Sequence, residues 1–98
     1  MKVRWATSAR RDLVAAIAFL RSESPRIARV LAQRVDAQVD ILRDYPLAGP
    51  EGRAPGTREL FIPRTRYVAV YRVLNNEVSI IRLLHQAQEW PSGSNDGS

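Results

Sequence analysis

The chain contains no cysteine, one lysine, Lys2, and one histidine, His85. Without thiols there is neither a disulfide framework nor a thiolate zinc site, and one histidine among scattered carboxylates does not furnish the ligand set of an intrinsic metal. No apolar run approaches the ~20 residues of a helical membrane span, and the N-terminus lacks a signal-peptide core. A glycine-rich phosphate loop, a serine nucleophile elbow and a metal-binding histidine pair are missing as well. The expectation is a cytoplasmic protein with no cofactor, no metal and no membrane partner.

Ninety-eight residues with 45% hydrophobic content suffice for one domain with one modest core. The net charge is +5, and apart from Lys2 the side-chain positive charge is carried by arginine. Guanidinium forks bind carboxylates and phosphates bidentately, so this balance suits nucleic acid or an acidic protein partner.

The rest of the chain is arranged around Tyr67 to His85. Tyr67-Val-Ala-Val-Tyr71-Arg72-Val73 and Val78-Ser-Ile-Ile-Arg82-Leu-Leu-His85 are β-branched and aromatic, and Asn75-Asn76 between them suits the positive φ of a tight primed turn. The register places Val73 opposite Val78, Tyr71 opposite Ile80 and Ala69 opposite Arg82. On the other face Val70 meets Ile81, Val68 meets Leu83 and Arg66 meets His85. Two apolar faces require two covers. The helices supply one, so the second face is expected to be shallow, apolar, rimmed by cations and covered by a partner.

Upstream, Lys2 to Ala6 reads as a short strand. Leu13, Ala16, Ile17 and Leu20 recur at helical spacing, which predicts a helix over 9–21 capped by Thr7-Ser8. Ser24 caps a second helix with Pro25 in its first turn, running to Asp44 with a stripe of Ile27, Leu31, Val35, Gln38, Leu42 and Tyr45. Arg26, Arg29, Arg34 and Arg43 lie off that stripe. A proline- and glycine-rich loop over 45–56 leads to a strand over 57–62. The fold class is α+β: a single small β-α-α-β-β-β domain over 1–90, with a helical hairpin packed on an antiparallel sheet. Trp90 should fold back as a plug on the sheet edge, and 91–98 should form a flexible tail.

Arg58, Arg64, Arg66, Arg72 and Arg82 fall in or beside the last three strands, together with His85. Such a set can hold a phosphate and transfer protons. In a binding protein, Arg58, Arg64 and Arg72 with Val68, Val70, Ile81, Leu83 and Trp90 would form the docking face.

The Tyr67–Val73 and Val78–Gln86 strings, Arg11-Asp12-Leu13 and Pro55-Gly-Thr-Arg-Glu-Leu60 resemble the RelE/ParE superfamily of bacterial type II toxin-antitoxin toxins. The likeness spans about residues 2 to 90. In the branch that cleaves mRNA on ribosomes, the residue after the tyrosine matching Tyr67 is an arginine that contacts the scissile phosphate, whereas this chain has Val68. There, Arg66 or Arg82 could substitute, and His85 matches a catalytic histidine of some members, so a nuclease would rest on His85, Arg82 and Arg66. The Tyr-Arg-Val and Leu-His-Gln strings lean towards the ParE branch, whose members poison DNA gyrase without nuclease residues. The resemblance implies a cognate antitoxin whose C-terminal segment folds on the toxin, with gyrase as target, or the ribosome and mRNA in the alternative. DNA would be met only indirectly, through the antitoxin complex.

Overall fold

A computed structural model describes residues 1–91, with β1 (Lys2–Trp5), α1 (Thr7–Glu23), α2 (Pro25–Asp44), β2 (Arg58–Phe61), β3 (Tyr67–Leu74) and β4 (Glu77–His85). The sheet order is β1-β4-β3-β2. The last three strands are antiparallel, and β1 joins the edge of β4 in parallel, so the sheet is mixed. Among the described residues, no helix is long and apolar enough to cross a membrane.

Asn75 and Asn76 take φ values of 52° and 60°, the double left-handed conformation that a two-residue primed turn requires. From there the expected register holds, with Val73 opposite Val78 and Tyr71 opposite Ile80. It then slips: Val70 faces Arg82, because Ile81 is an extra residue on β4. Beyond this bulge Ala69 pairs with Leu83, Val68 with Leu84 and Tyr67, not Arg66, with His85.

The bulge follows from the helix beside it. β1 ends at Trp5, so the outer edge of β4 beyond Ile80 needs other partners. Ser8 donates its hydroxyl to the Ile81 carbonyl at 2.6 Å, and the Asp12 carboxylate accepts from the Leu83 N–H at 2.9 Å. The Thr7-Ser8 hydroxyls are thereby not a cap; Ala6 occupies the cap position without a side-chain bond, and Ser8 serves the sheet instead. At the second helix, Ser24 does accept from Ile27 N, and Pro25 lies in the first turn.

The helices bury one face of the sheet. Ala9, Ala16, Leu31, Val35, Val39 and Leu42 pack against Ala69, Tyr71, Val78, Ile80 and Leu83. The buried stripe of α2 includes the small Ala28, whereas Ile27 and Tyr45 stay exposed. Tyr71 ties the long loop down: its hydroxyl donates to the Pro46 carbonyl at 2.8 Å and accepts from Gly49 N at 2.9 Å. A Cβ at Gly49 would lie 2.9 Å from the Tyr71 ring, so only glycine fits. Burial raises the Tyr71 pKa against the opposing effects of the Gly49 N–H and Arg58.

The second face of the sheet is not vacant. Val68, Val70 and Leu84 are buried there, with Ile81 and Trp90 packed against them. The expectation of a partner-covered face is corrected: the chain covers it with its own residues 86–91. Gln86 N donates to the Arg66 carbonyl at 2.7 Å and Gln88 N to the His85 carbonyl at 2.9 Å, which reverses the chain directly after β4. Arg53 then reaches the Gln88 carbonyl at 2.9 Å and pairs with Glu59. Trp90 thus lies on the face of the sheet rather than at its edge. Of the tail expected over 91–98, the part from 92 onward lies outside the described residues.

Candidate functional site

A groove of about 790 Å³ opens between the two helices and the far end of the hairpin. Its floor is apolar, with Phe19 and Leu20 from the last turns of α1 and Ile27, Val30 and Leu31 from α2. Arg26 and Arg34 from α2 line it on one side, and Arg64, Arg66, Tyr67 and His85 on the other.

The turn between β2 and β3 sets the second wall. Arg64 sits at φ 66°, a left-handed conformation that costs a non-glycine residue about 1–2 kcal/mol. Thr65 holds it there: its N–H and hydroxyl both donate to the Ile62 carbonyl, and its Oγ1 accepts from Tyr67 N at 3.0 Å. Both neighbours of Thr65, Arg64 and Arg66, line the groove.

His85 ends β4 with its ring edge-on to Tyr67, the centroids 5.5 Å apart and the planes at 77°. Its Nδ1 accepts from Ala87 N at 3.1 Å, so the neutral ring carries its proton on Nε2. Burial raises the Tyr67 pKa, which keeps the phenol a neutral donor.

Among the described residues no carboxylate lines the groove. Among the described residues the arginine–carboxylate pairs use Arg4, Arg43, Arg53 and Arg82, so the four groove arginines have no anionic partner. An apolar floor walled by unpaired guanidiniums suits an occupant that is apolar on one side and acidic at its flanks.

Of the residues singled out in the sequence, Arg64, Arg66 and His85 come together in this groove. The others do not join them. Arg82 is held bidentately by Asp12, at 2.7 and 3.1 Å. That hydrogen bonding raises its pKa, burial opposes the rise, and the Asp12 charge adds to it. Arg58 donates to the Gly49 carbonyl beneath the long loop. Arg72 is exposed on β3, with Gly56 beside its guanidinium. Val68 and Val70 lie beneath Trp90, with Ile81 beside them, and Leu83 has moved to the helix-side core because the bulge shifts it there. The sequence places Arg26 and Arg34 off the apolar stripe of α2 and does not single out Phe19. The available signal was spacing: Arg26, Val30 and Arg34 advance by four, so they drift slowly along one flank of the apolar stripe.

Fold and groove together define a class, a small basic α+β domain with a surface suited to an acidic partner. The model of the family described as the ParE toxin of the type II toxin-antitoxin system parDE matches residues 3–90. A protein of Sinorhizobium fredii (strain NBRC 101917 / NGR234), named "Putative toxin Y4kP", is 33% identical over 90 residues, covering 92% of this chain and 93% of its own. A chain from the chromosomal ParDE system of P. aeruginosa superposes with a TM-score of 0.78 at 28% identity, covering 87% of this chain and 95% of its own. A chain from the RelBE2 toxin-antitoxin complex of Mycobacterium tuberculosis gives 0.53 at 29% identity, covering 86% and 95%. The chain belongs to the ParE toxin family, within the RelE/ParE superfamily of type II toxins.

Proposed function

We propose that this toxin acts in the cytoplasm by binding a protein, DNA gyrase, and not by cutting RNA, and that a cognate antitoxin neutralises it by laying an acidic, partly apolar segment in the groove. The observation that carries the first half is the position after Tyr67. Where the RNA-cleaving branch places a phosphate-contacting arginine, this chain has Val68, buried to 8% exposure beneath Trp90. Arg82, the other candidate for that role, is occupied by Asp12. The antitoxin half is supported by the unpaired arginines of the groove, by the net charge of +5 and by the two structural relatives, both drawn from toxin-antitoxin systems. In such a pair the toxin meets DNA only through its antitoxin.

A supercoiling assay run beside a ribosome-dependent message-cleavage assay tests this. The purified chain should block supercoiling and leave message intact; cleaved message with unimpaired gyrase would refute the reading. One observation favours the nuclease alternative, namely that Arg64, Arg66 and His85 share one groove. If it holds, His85→Ala should lower cleavage by roughly two to four orders of magnitude. A further alternative, a non-toxic protein-binding module, would leave growth unchanged when expressed alone.

A further inference from the structure

His85 stands at a junction. One side of its ring belongs to the groove wall with Tyr67, and the other accepts the N–H of Ala87, the second residue of the strap formed by 86–91. The strap starts at the groove, with Gln86 N on the Arg66 carbonyl, and ends on the opposite face of the sheet, where Trp90 covers Val68, Val70 and Leu84. Nε2 makes no hydrogen bond among the described residues.

We propose that His85 is a latch between groove and strap: an acidic segment in the groove draws a second proton onto the imidazole, Ala87 N–H loses its acceptor at Nδ1, and residues 86–91 loosen from the back of the sheet. The inference rests on the acidic-partner reading above and adds to it a consequence at a distance. A carboxylate accepting from Nε2–H stabilises the imidazolium, and imidazolium is a donor at both nitrogens, so it cannot accept from Ala87. The charged groups that line the groove with His85 are Arg64 and Arg66 from the β2–β3 turn and Arg26 and Arg34 from α2; among the described residues α1 adds Phe19 and Leu20, and the neighbouring strand adds Tyr67, edge-on to the imidazole. Among the described residues no acid lines the groove beside Nε2. Gln86 to Arg66, Gln88 to His85, Arg53 to Gln88 and the packing of Trp90 are among the ties that remain, so the outcome is loosening of a hinged cover rather than unfolding. Glu59 holds Arg53 against that cover, and although burial raises its pKa, the hydrogen bonds and charge of Arg53 bring it below its ordinary value.

The test uses the full chain with Trp5→Phe, so that emission reports Trp90 alone. On acidification from neutral pH, emission should shift to the red. Exchange of the Ala87 amide should speed up about 2- to 13-fold beyond its intrinsic pH dependence, the factor that corresponds to losing one hydrogen bond worth about 0.5–1.5 kcal/mol. His85→Asn, whose Oδ1 can accept the same N–H without titrating, and His85→Gln as a second variant should both stay flat. A flat parent chain, or equal changes in the variants, would overturn the latch. A synthetic amphipathic peptide of leucine and glutamate, added at neutral pH, should produce the same red shift in the parent chain and none in His85→Asn. Peptide binding without the shift overturns the coupling. An intact pH response with no peptide binding supports the latch and counts against the acidic-groove reading alone.

Discussion

Asp12 offers the sharpest check on how the sheet is held. Its carboxylate makes three hydrogen bonds, two with Arg82 and one with the Leu83 backbone N–H. Replacing Arg82 with alanine removes only the pair, whose side chains are 28% and 19% exposed; such a partly screened pair contributes about 1 kcal/mol. Replacing Asp12 with alanine removes the pair and also leaves the Leu83 N–H without an acceptor at a residue only 3% exposed. An orphaned buried N–H costs about 1–3 kcal/mol, so Asp12→Ala should cost about 2–4 kcal/mol in total. The gap between the two variants, about 1–3 kcal/mol, corresponds to roughly 4–24 °C in Tm for a domain of this size. Urea and thermal unfolding of both variants, followed by circular dichroism, measure it. Equal losses would mean that the Leu83 bond adds nothing and that Asp12 does not fix the bulge.

Gly49→Ala should destabilise by about 1–3 kcal/mol, because the new Cβ meets the buried Tyr71 ring at 2.9 Å; thermal unfolding reads this directly. For Glu59, burial raises the pKa, but the hydrogen bonds and charge of Arg53 outweigh it, and the folded value lies below the ordinary 4.5. Its stabilising contribution is therefore complete above about pH 4.5 and lost as pH falls through the folded value, so Glu59→Gln should flatten unfolding free energy against pH in that acid window. Reversing the α2 wall with Arg26→Glu and Arg34→Glu should weaken capture of an acidic amphipathic peptide about tenfold and reduce its salt dependence, as measured by calorimetry at two ionic strengths.

The hairpin was readable because its turn needs positive φ at two successive residues, and Asn75-Asn76 is among the few pairs that accept it. The bulge was not. Ile81-Arg82 reads like any β run, and what dislodges it are Ser8 and Asp12, 73 and 71 residues away from their partners. That single inserted residue moved Leu83 from the expected docking face into the core and brought Tyr67, in place of Arg66, opposite His85. Two apolar faces did signal two covers. The error lay in counting only the helices as covers and placing Trp90 at the sheet edge, when a reversal directly after β4 lets this tryptophan lie on the second face. The groove was half legible: Arg64 and Arg66 precede β3 and His85 ends β4, so the hairpin brings them to one end, whereas the part played by Arg26 and Arg34 depends on which flank of α2 meets the β2–β3 turn.

The most direct test of the account is to map, by backbone amide shifts, where a cognate antitoxin lands on this chain. Changes centred on Phe19, Ile27, Arg34, Arg66 and Tyr67, and abolished by Arg26→Glu with Arg34→Glu, are the predicted result. Tight binding that leaves those residues unmoved and survives the charge reversal would contradict it.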